Sequence, residues 1–214
     1  MGKYYSYQEL SKNEQRGKDY HIRFRLGTSG IAIMAPHGGE IEPGTTEIAD
    51  AVAGNAHSFY SFDGLKENGN SDLHLTSKYF DEPLAMDIGK RSGSILAIHG
   101  CRERELVVYL GGRNRALKEK MKIALARVDF TVGETSRFPG VHASNICNRN
   151  RQGKGIQMEI SLGLRLKMFQ DLSRANRKIT TPLFETFVSI LRDVLSCLPG
   201  ATVTEIPTQN KSLY

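Results

Sequence analysis

The sequence of 214 residues predicts an α/β protein built on a mixed, mostly parallel open sheet with helices on both faces. Two observations favour this class. Short apolar runs, too short for helices, alternate with amphipathic stretches of helical length. The composition, 39% apolar and 24% charged residues, is typical of a globular chain that a single hydrophobic core can serve. We therefore expect a single domain over residues 1–214.

The N-terminal half begins with a helix and two strands. Ser6, followed three residues later by Glu9, forms a capping box that predicts a helix over 7–15. Alternating apolar and polar residues predict a strand with one solvated face over 21–26, and a continuous apolar run predicts a buried strand over 30–34. The next elements in chain order are a helix over 46–53, strands over 58–62 and 73–76, a helix over 83–90, strands over 94–99 and 106–110, and a helix over 114–127.

The C-terminal part contains a long polar segment between regular elements. A short run over 129–132 is followed by a loop rich in Gly and Asn over 133–155, and then by a strand over 156–160. Helices are predicted over 162–170 and 182–198, the second with an apolar stripe that indicates core packing. Polar loops of this length are uncommon inside compact domains, so we expect this one to have a function.

Composition also excludes several classes of protein. No apolar run approaches the ~20 residues that span a bilayer, and the polar N-terminus does not resemble a signal peptide. The odd number of well-separated cysteines fits neither a disulfide framework nor a cysteine zinc site, which predicts synthesis in the reducing cytoplasm (Cys101, Cys147 and Cys197). A core of this size needs no partner subunit, so we expect a monomer without membrane attachment.

Positive charge is concentrated in one segment of the chain. The whole sequence carries +6, while residues 102–154 contain 12 basic and five acidic side chains, a net charge of +7. This excess predicts an anionic partner, although a solvated basic face would explain it equally well. The chain has no Trp, no aromatic residues interleaved with the basic ones and no zinc-finger spacing, so we expect no nucleic-acid binding.

Two histidines follow apolar runs at predicted strand ends. His37 and His99 are each succeeded by glycine, and in open α/β sheets ligands bind beyond the carboxyl ends of the strands. A catalytic zinc ion takes three His or carboxylate ligands and keeps one open position. His37, His99 and one nearby carboxylate meet that count, with Glu40, Glu42 and Glu47 as the candidates. The spacing is short enough to arise by chance, and one such histidine alone is more often structural.

Further polar residues could bind or activate a substrate. Glu159 lies within the apolar strand 156–160 and could serve as a general base, or it could simply face outward from the sheet. Arg149 and Asn148, in the loop before that strand, could grip a carboxylate through paired hydrogen bonds. Arg113, after a pair of glycines, could lie over the same site or remain a surface residue at a helix start.

These motifs, taken in order, resemble the poly-γ-glutamate hydrolases of bacilli and their phages. The resemblance spans about residues 36–161 and rests on the following segments: PHGG with IEPGTTE (36–47), LHLTS (73–77), FDEP (80–83), IHG (98–100), GG (111–112), Asn145 with Asn148 and Arg149, and GKGIQMEIS (153–161). The resemblance implies a zinc-dependent amidohydrolase with a core like that of the zinc carboxypeptidases, whose substrate is the anionic capsule polymer poly-γ-glutamate.

Carried over by position, the resemblance implies zinc ligands His37, Glu42 and His99, and Glu159 as general base. The carboxypeptidase spacing His-x-x-Glu would instead select Glu40, but the Ile-Glu before Gly-Thr-Thr-Glu selects Glu42. The basic segment would then form a groove for the polymer, which the protein would meet outside the cell after release. The alternative function is a carboxypeptidase-like zinc peptidase that acts on ordinary or cell-wall peptides.

Overall fold

The computed structural model describes residues 2–133 and 136–198 of the chain. The strands are β1 (Tyr20–Arg25), β2 (Ile31–Gly39), β3 (Ser58–Gly64), β4 (Ser94–Cys101), β5 (Val107–Gly111), β6 (Thr131–Gly133) and β7 (Ile156–Ser161). The α-helices are α1 (Tyr7–Asn13), α2 (Thr45–Ala53), α3 (Pro83–Arg91), α4 (Arg115–Ala126), α5 (Leu162–Met168) and α6 (Pro182–Ser196). No helix in this described part is long and apolar enough to cross a membrane.

The seven strands form one mixed sheet in the order β1-β3-β2-β4-β7-β5-β6. The central strands β3, β2, β4 and β7 are parallel to one another, whereas β1 and β5 pair antiparallel with their neighbours β3 and β7. The carboxyl ends of β2, β4 and β7 therefore meet at one edge of the sheet, side by side. The predicted mixed α/β sheet is confirmed.

Apolar side chains cover both faces of the sheet. Helices α2, α4, α5 and α6 pack on one face and form the first core cluster with strand residues such as Ile33 and Met158. Helices α1 and α3 pack on the other face and form the second cluster with residues such as Met34 and Ala97. Because the central strands are buried on both sides, they consist of nearly continuous apolar runs, which is what made them recognisable in the sequence.

The strand predicted over 73–76 is wrong. The chain forms a 3₁₀ turn over Asn70–Leu73 and then continues without regular structure through Leu75. Leu73 and Leu75 are both buried in the second core cluster, and this alternate burial imitates the pattern of a strand. The segment packs against the ends of the sheet strands, where the Leu75 carbonyl bonds to a histidine ring.

A bulge in β2 decides which face His37 occupies. Met34 packs in the second core cluster, so strict alternation would direct His37 to the opposite face. Between Ala35 and Gly38, however, β2 advances by three residues while its partner β3 advances by two. The extra residue reverses the alternation. The His37 ring consequently lies on the same face as His99.

Candidate metal centre and active-site cleft

Ligand atoms of three side chains converge at the carboxyl ends of β2 and β4. Suitable atoms of His37, Glu42 and His99 all lie within 4.8 Å of one another. His37 Nδ1 is 3.1 Å from Glu42 Oε1 and 3.1 Å from His99 Nδ1, and His99 Nδ1 is 3.7 Å from Glu42 Oε2. Both histidine rings are almost completely buried. The two strand-end histidines and a carboxylate therefore share one small volume.

This volume has the dimensions of a tetrahedral zinc site. Zinc–ligand distances of about 2.0–2.1 Å place neighbouring ligand atoms of a tetrahedron about 3.3 Å apart, close to the separations seen here. Two imidazole nitrogens and one carboxylate are also a typical ligand set for a catalytic zinc ion. The residues present thus fit the metal that the ligand chemistry implies.

Backbone groups orient two of the three candidate ligands. His37 Nε2 donates to the carbonyl of Leu75 at 2.6 Å, which fixes the proton on Nε2 and directs the lone pair of Nδ1 towards the centre. The amide of Gly100 donates to Glu42 Oε2 at 2.8 Å. These contacts hold the ligands in the geometry that a metal ion needs.

Glu40 and Glu42 point in different directions. The side chain of Glu40 points away from the two histidines and forms ion pairs with Arg177 at 2.6 Å and with Arg174 at 3.2 Å. Glu47 contacts the same Arg177 at 3.1 Å. Among the three carboxylates that the sequence offered as a third ligand, only Glu42 lies beside the histidines.

The electrostatics of the site favour the metal-binding forms of His37 and Glu42. Burial, reinforced by His74, lowers the pKa of His37 to about 4. Burial alone would raise the pKa of Glu42, but the surrounding imidazoles hold it well below the usual range. Burial also opposes protonation of His99, yet Glu159 and Glu42 raise its pKa. At neutral pH His37 is therefore neutral and Glu42 ionised, which are the metal-binding states of these groups.

Glu159 lies next to this cluster, on the neighbouring strand. It is the register partner of His99 in the parallel pair β4 and β7, so both side chains project to the same face. The residue is 6% exposed, and its carboxylate accepts a hydrogen bond from Gln157 Nε2 at 3.0 Å, while Asn145 donates to Gln157 at 2.7 Å. Burial raises the pKa of Glu159. The outward-facing alternative for this residue does not describe the structure.

A cleft of about 1120 Å³ contains the three candidate ligands and Glu159 in its lining. Its basic side chains are Lys78, Arg102, Arg104, Arg137 and Arg165. Arg137 contacts Glu103, whereas Arg102 and Arg104 are exposed and form no ion pair with any residue of the described ranges. The cleft thus combines a carboxylate- and histidine-rich floor with cationic groups available to an anionic ligand.

The predicted carboxylate-binding residues Asn148, Arg149 and Arg113 do not line this cleft. Asn148 is buried and its amide group makes three hydrogen bonds to backbone groups of its own loop. Arg149 is exposed and donates to the carbonyl of Ser144. Arg113 is exposed just before α4. The structure therefore places all three residues outside the lining of the cleft, and Asn148 uses its amide group to hold the backbone of its own loop.

Two residues at the site carry no assigned role in the sequence interpretation. His74 stacks on His37 with 3.8 Å between ring centroids, and its Nε2 is 3.5 Å from Glu42 Oε1. It belongs to the segment predicted as a strand and to the LHLTS motif (73–77) of the family resemblance, which was its only signal in the sequence. Arg165 is buried beneath the cleft on α5, a helix whose sequence gives no sign of a buried cation.

Comparison with known proteins identifies the family. The sequence model of the poly-gamma-glutamate hydrolase family matches residues 4–190 of this chain. The chain belongs to the poly-γ-glutamate hydrolase family. The SPβ prophage-derived UPF0714 protein YoqZ of Bacillus subtilis (strain 168) is 34% identical over 206 residues, which cover 92% of this chain and 74% of YoqZ.

Solved structures of similar proteins agree with this family. A bacteriophage poly-γ-glutamate hydrolase superposes with a TM-score of 0.89 at 32% identity, covering 92% of this chain and 97% of that one. The zinc-free apo form of YndL superposes with a TM-score of 0.88 at 31% identity, covering 92% and 98% of the two chains. The family and fold expected from the sequence motifs are thereby confirmed.

Proposed function

We propose that this protein is a zinc-dependent amidohydrolase that cleaves γ-glutamyl amide bonds of poly-γ-glutamate. The observation that carries the proposal is the meeting of His37, Glu42, His99 and Glu159 in one cation-lined cleft. Membership in the poly-γ-glutamate hydrolase family supports the substrate. The structure of the similar protein YndL is a zinc-free apo form, and this supports zinc as the metal.

In this proposal His37, Glu42 and His99 would hold the metal, and all three side chains line the cleft. When bound, zinc supplies an acidified water and polarises the carbonyl of the scissile amide. The buried backbone contacts at Leu75 and Gly100 keep the ligand atoms aimed at one point, so little reorganisation is needed when the metal binds.

Glu159 acts as the general base. Its carboxylate shares a face of the sheet with His99 and lines the cleft, so it can take a proton from the attacking water and later deliver it to the leaving amine. The hydrogen bond from Gln157 holds one carboxylate oxygen, and within the described part of the chain the other oxygen has no hydrogen-bond donor. Burial raises the pKa of Glu159 and so makes it a stronger base than an exposed glutamate.

The cations of the cleft receive the polymer. Poly-γ-glutamate bears one free α-carboxylate per residue, and a cleft of this volume exceeds the usual size of a site for one small molecule. Arg102 and Arg104 present two exposed guanidinium groups without carboxylate partners in the described chain, and the planar fork of arginine suits carboxylates. We assign them the carboxylate-binding role that the sequence suggested for Arg149.

The test is to incubate the purified protein with poly-γ-glutamate and to size the products by gel filtration, with and without a chelator. We expect the polymer to shorten, the chelator to stop the reaction and added zinc to restore it. α-Linked polyglutamate is the matched control, because it has the same charge but ordinary peptide bonds. Cleavage of the α-linked polymer alone would support the carboxypeptidase-like alternative and contradict the proposal, as would full activity in chelator.

A further inference from the structure

Arg165 is a buried arginine without a carboxylate partner at the base of the cleft. The residue is 4% exposed, and no acidic group in the described ranges forms an ion pair with it. It nevertheless lines the same cleft as Glu42 and Glu159, and both carboxylates interact with its charge. Because arginines are rarely buried unless they are paired, this position indicates a specific role for the side chain.

The guanidinium group of Arg165 bonds to three separate segments of backbone. Nη1 donates to the carbonyl of Pro43 at 2.6 Å, Nη2 to that of Cys101 at 3.0 Å, and Nε to that of Ile160 at 3.1 Å. Each acceptor is within two residues of a site residue, because Pro43 adjoins Glu42, Cys101 follows His99 and Ile160 follows Glu159.

Close packing adds to these hydrogen bonds. Arg165 lies against Gly100, where a β-carbon would stand 2.6 Å from the guanidinium carbon. The amide of the same glycine donates to Glu42. Any side chain at position 100 would therefore displace the guanidinium group, the Glu42 contact or both.

We propose that Arg165 is a positioning residue that fixes the segments carrying Glu42, His99 and Glu159 relative to one another. The planar guanidinium group donates in three fixed directions, which neither the single ammonium group of lysine nor an apolar side chain can reproduce. Its positive charge also offsets the two carboxylates that the site brings together. This inference rests on the proposed zinc site and extends it by one supporting residue.

The test compares zinc affinity and thermal stability among four proteins: wild type, Arg165→Met, Arg165→Lys and Leu164→Ala. Zinc affinity is measured by competition with a chromogenic chelator, independently of catalysis. Leu164 is the matched control, because it precedes Arg165 on α5 and its buried side chain packs in the first core cluster. Its truncation destabilises the same helix by loss of packing while the three carbonyl contacts remain.

We expect Arg165→Met to bind zinc 10- to 100-fold more weakly, the usual effect of losing a residue that orients metal ligands. Arg165→Lys should fall between Arg165→Met and wild type. Leu164→Ala should lower the melting temperature but keep zinc affinity within about twofold of wild type. If Arg165 had only a structural role, Arg165→Met and Leu164→Ala would both be less stable than wild type, and both would bind zinc with wild-type affinity.

Wild-type affinity in Arg165→Met, or an equal loss in Leu164→Ala, would overturn the inference. If Arg165→Met does not fold, the Arg165→Lys variant decides. Wild-type zinc affinity in Arg165→Lys overturns the inference. Weakened zinc affinity supports it, provided that Arg165→Lys is no less stable than Leu164→Ala. A wild-type chain that binds no zinc would overturn the proposed function and this inference with it, whereas equal tight binding by all four proteins overturns the positioning role alone.

Discussion

Replacing Glu159, the proposed general base, by glutamine should reduce activity and increase stability together. Glutamine keeps the shape of the side chain but cannot accept a proton, so kcat should fall by roughly 10²–10⁴-fold. This fall corresponds to about 2.7–5.4 kcal/mol of transition-state stabilisation at about 1.36 kcal/mol per tenfold change. Zinc content should not change, because Glu159 lies outside the cluster of candidate ligands.

The effect on stability follows from the raised pKa of Glu159. A carboxyl group whose pKa is higher in the folded than in the unfolded protein binds more protons when folded, so the free energy of unfolding falls as pH rises from the unfolded towards the folded pKa. The loss is about 1.4 kcal/mol for each pH unit that separates the folded from the unfolded pKa, and it persists at higher pH. Glutamine has no such charge to bury. The zinc-free Glu159→Gln protein should therefore be more stable than wild type at pH 7, and nearly equal to it well below pH 4.5.

The assay combines steady-state kinetics on poly-γ-glutamate with urea unfolding of the zinc-free proteins at two pH values. The acidic limb of kcat/KM should be present in wild type and absent from the residual activity of the variant. A folded, zinc-loaded Glu159→Gln protein that is nearly as fast as wild type would refute the assignment of the base. A variant less stable than wild type at pH 7 would refute the argument from burial.

Three further outcomes are expected. Glu42→Gln should lose zinc while Glu40→Gln retains it, because Glu40 is turned away from the histidines towards Arg177. Elemental analysis of the two proteins measures this difference. Zinc retained by Glu42→Gln but lost by Glu40→Gln would favour the carboxypeptidase spacing. Added salt should lower kcat/KM more than kcat, since exposed charges are screened over about 8 Å at physiological ionic strength. The double variant Arg102→Gln with Arg104→Gln should have a weaker salt dependence of kcat/KM, whereas Arg113→Gln, outside the cleft, should have that of wild type. An unchanged salt dependence in the double variant would show that the two arginines have no role in substrate capture.

The fold could be predicted because its central strands are buried on both faces. Short continuous apolar runs with amphipathic helical segments between them are typical of the inner strands of a parallel sheet. The strand predicted around Leu73 and Leu75 is wrong for a related reason. Two buried leucines separated by one residue produce the alternating pattern of a strand without pairing with a neighbouring strand. The alternation of apolar and polar residues indicates which side chains are buried, but burial alone does not establish hydrogen bonding to a sheet.

The candidate ligands could be predicted from their position at strand ends, but the cations that line the cleft could be predicted only in part. His37 and His99 end the apolar runs of two neighbouring parallel strands, so the topology places them at one edge of the sheet, while the bulge in β2 puts them on the same face. Arg102, Arg104 and Arg137 belong to the basic segment 102–154, whereas Lys78 and Arg165 lie outside it and no spacing in the sequence relates them to the site. Asn148 misled the interpretation because asparagine in a long loop bonds as readily to its own backbone as to a ligand.

In the proposed function, the metal would also affect substrate capture. Glu42 is ionised at neutral pH because its pKa lies well below the usual range, and it lies in the cleft that the proposed polyanionic substrate would enter. A zinc ion bound beside Glu42 would change the local charge from negative to positive. For a dication and one carboxylate 10 Å apart in water, the attraction is about 0.8 kcal/mol, or roughly fourfold in affinity.

This effect can be measured on the slow Glu159→Gln protein, which should bind the polymer with little cutting. We expect the zinc-loaded form to bind poly-γ-glutamate at least about fourfold more tightly than the zinc-free form at low salt. The difference should shrink as salt is added, because screening weakens the attraction between the site and the polymer. Equal affinities in low salt would show that the exposed arginines at the mouth of the cleft, and not the metal centre, account for capture of the polymer.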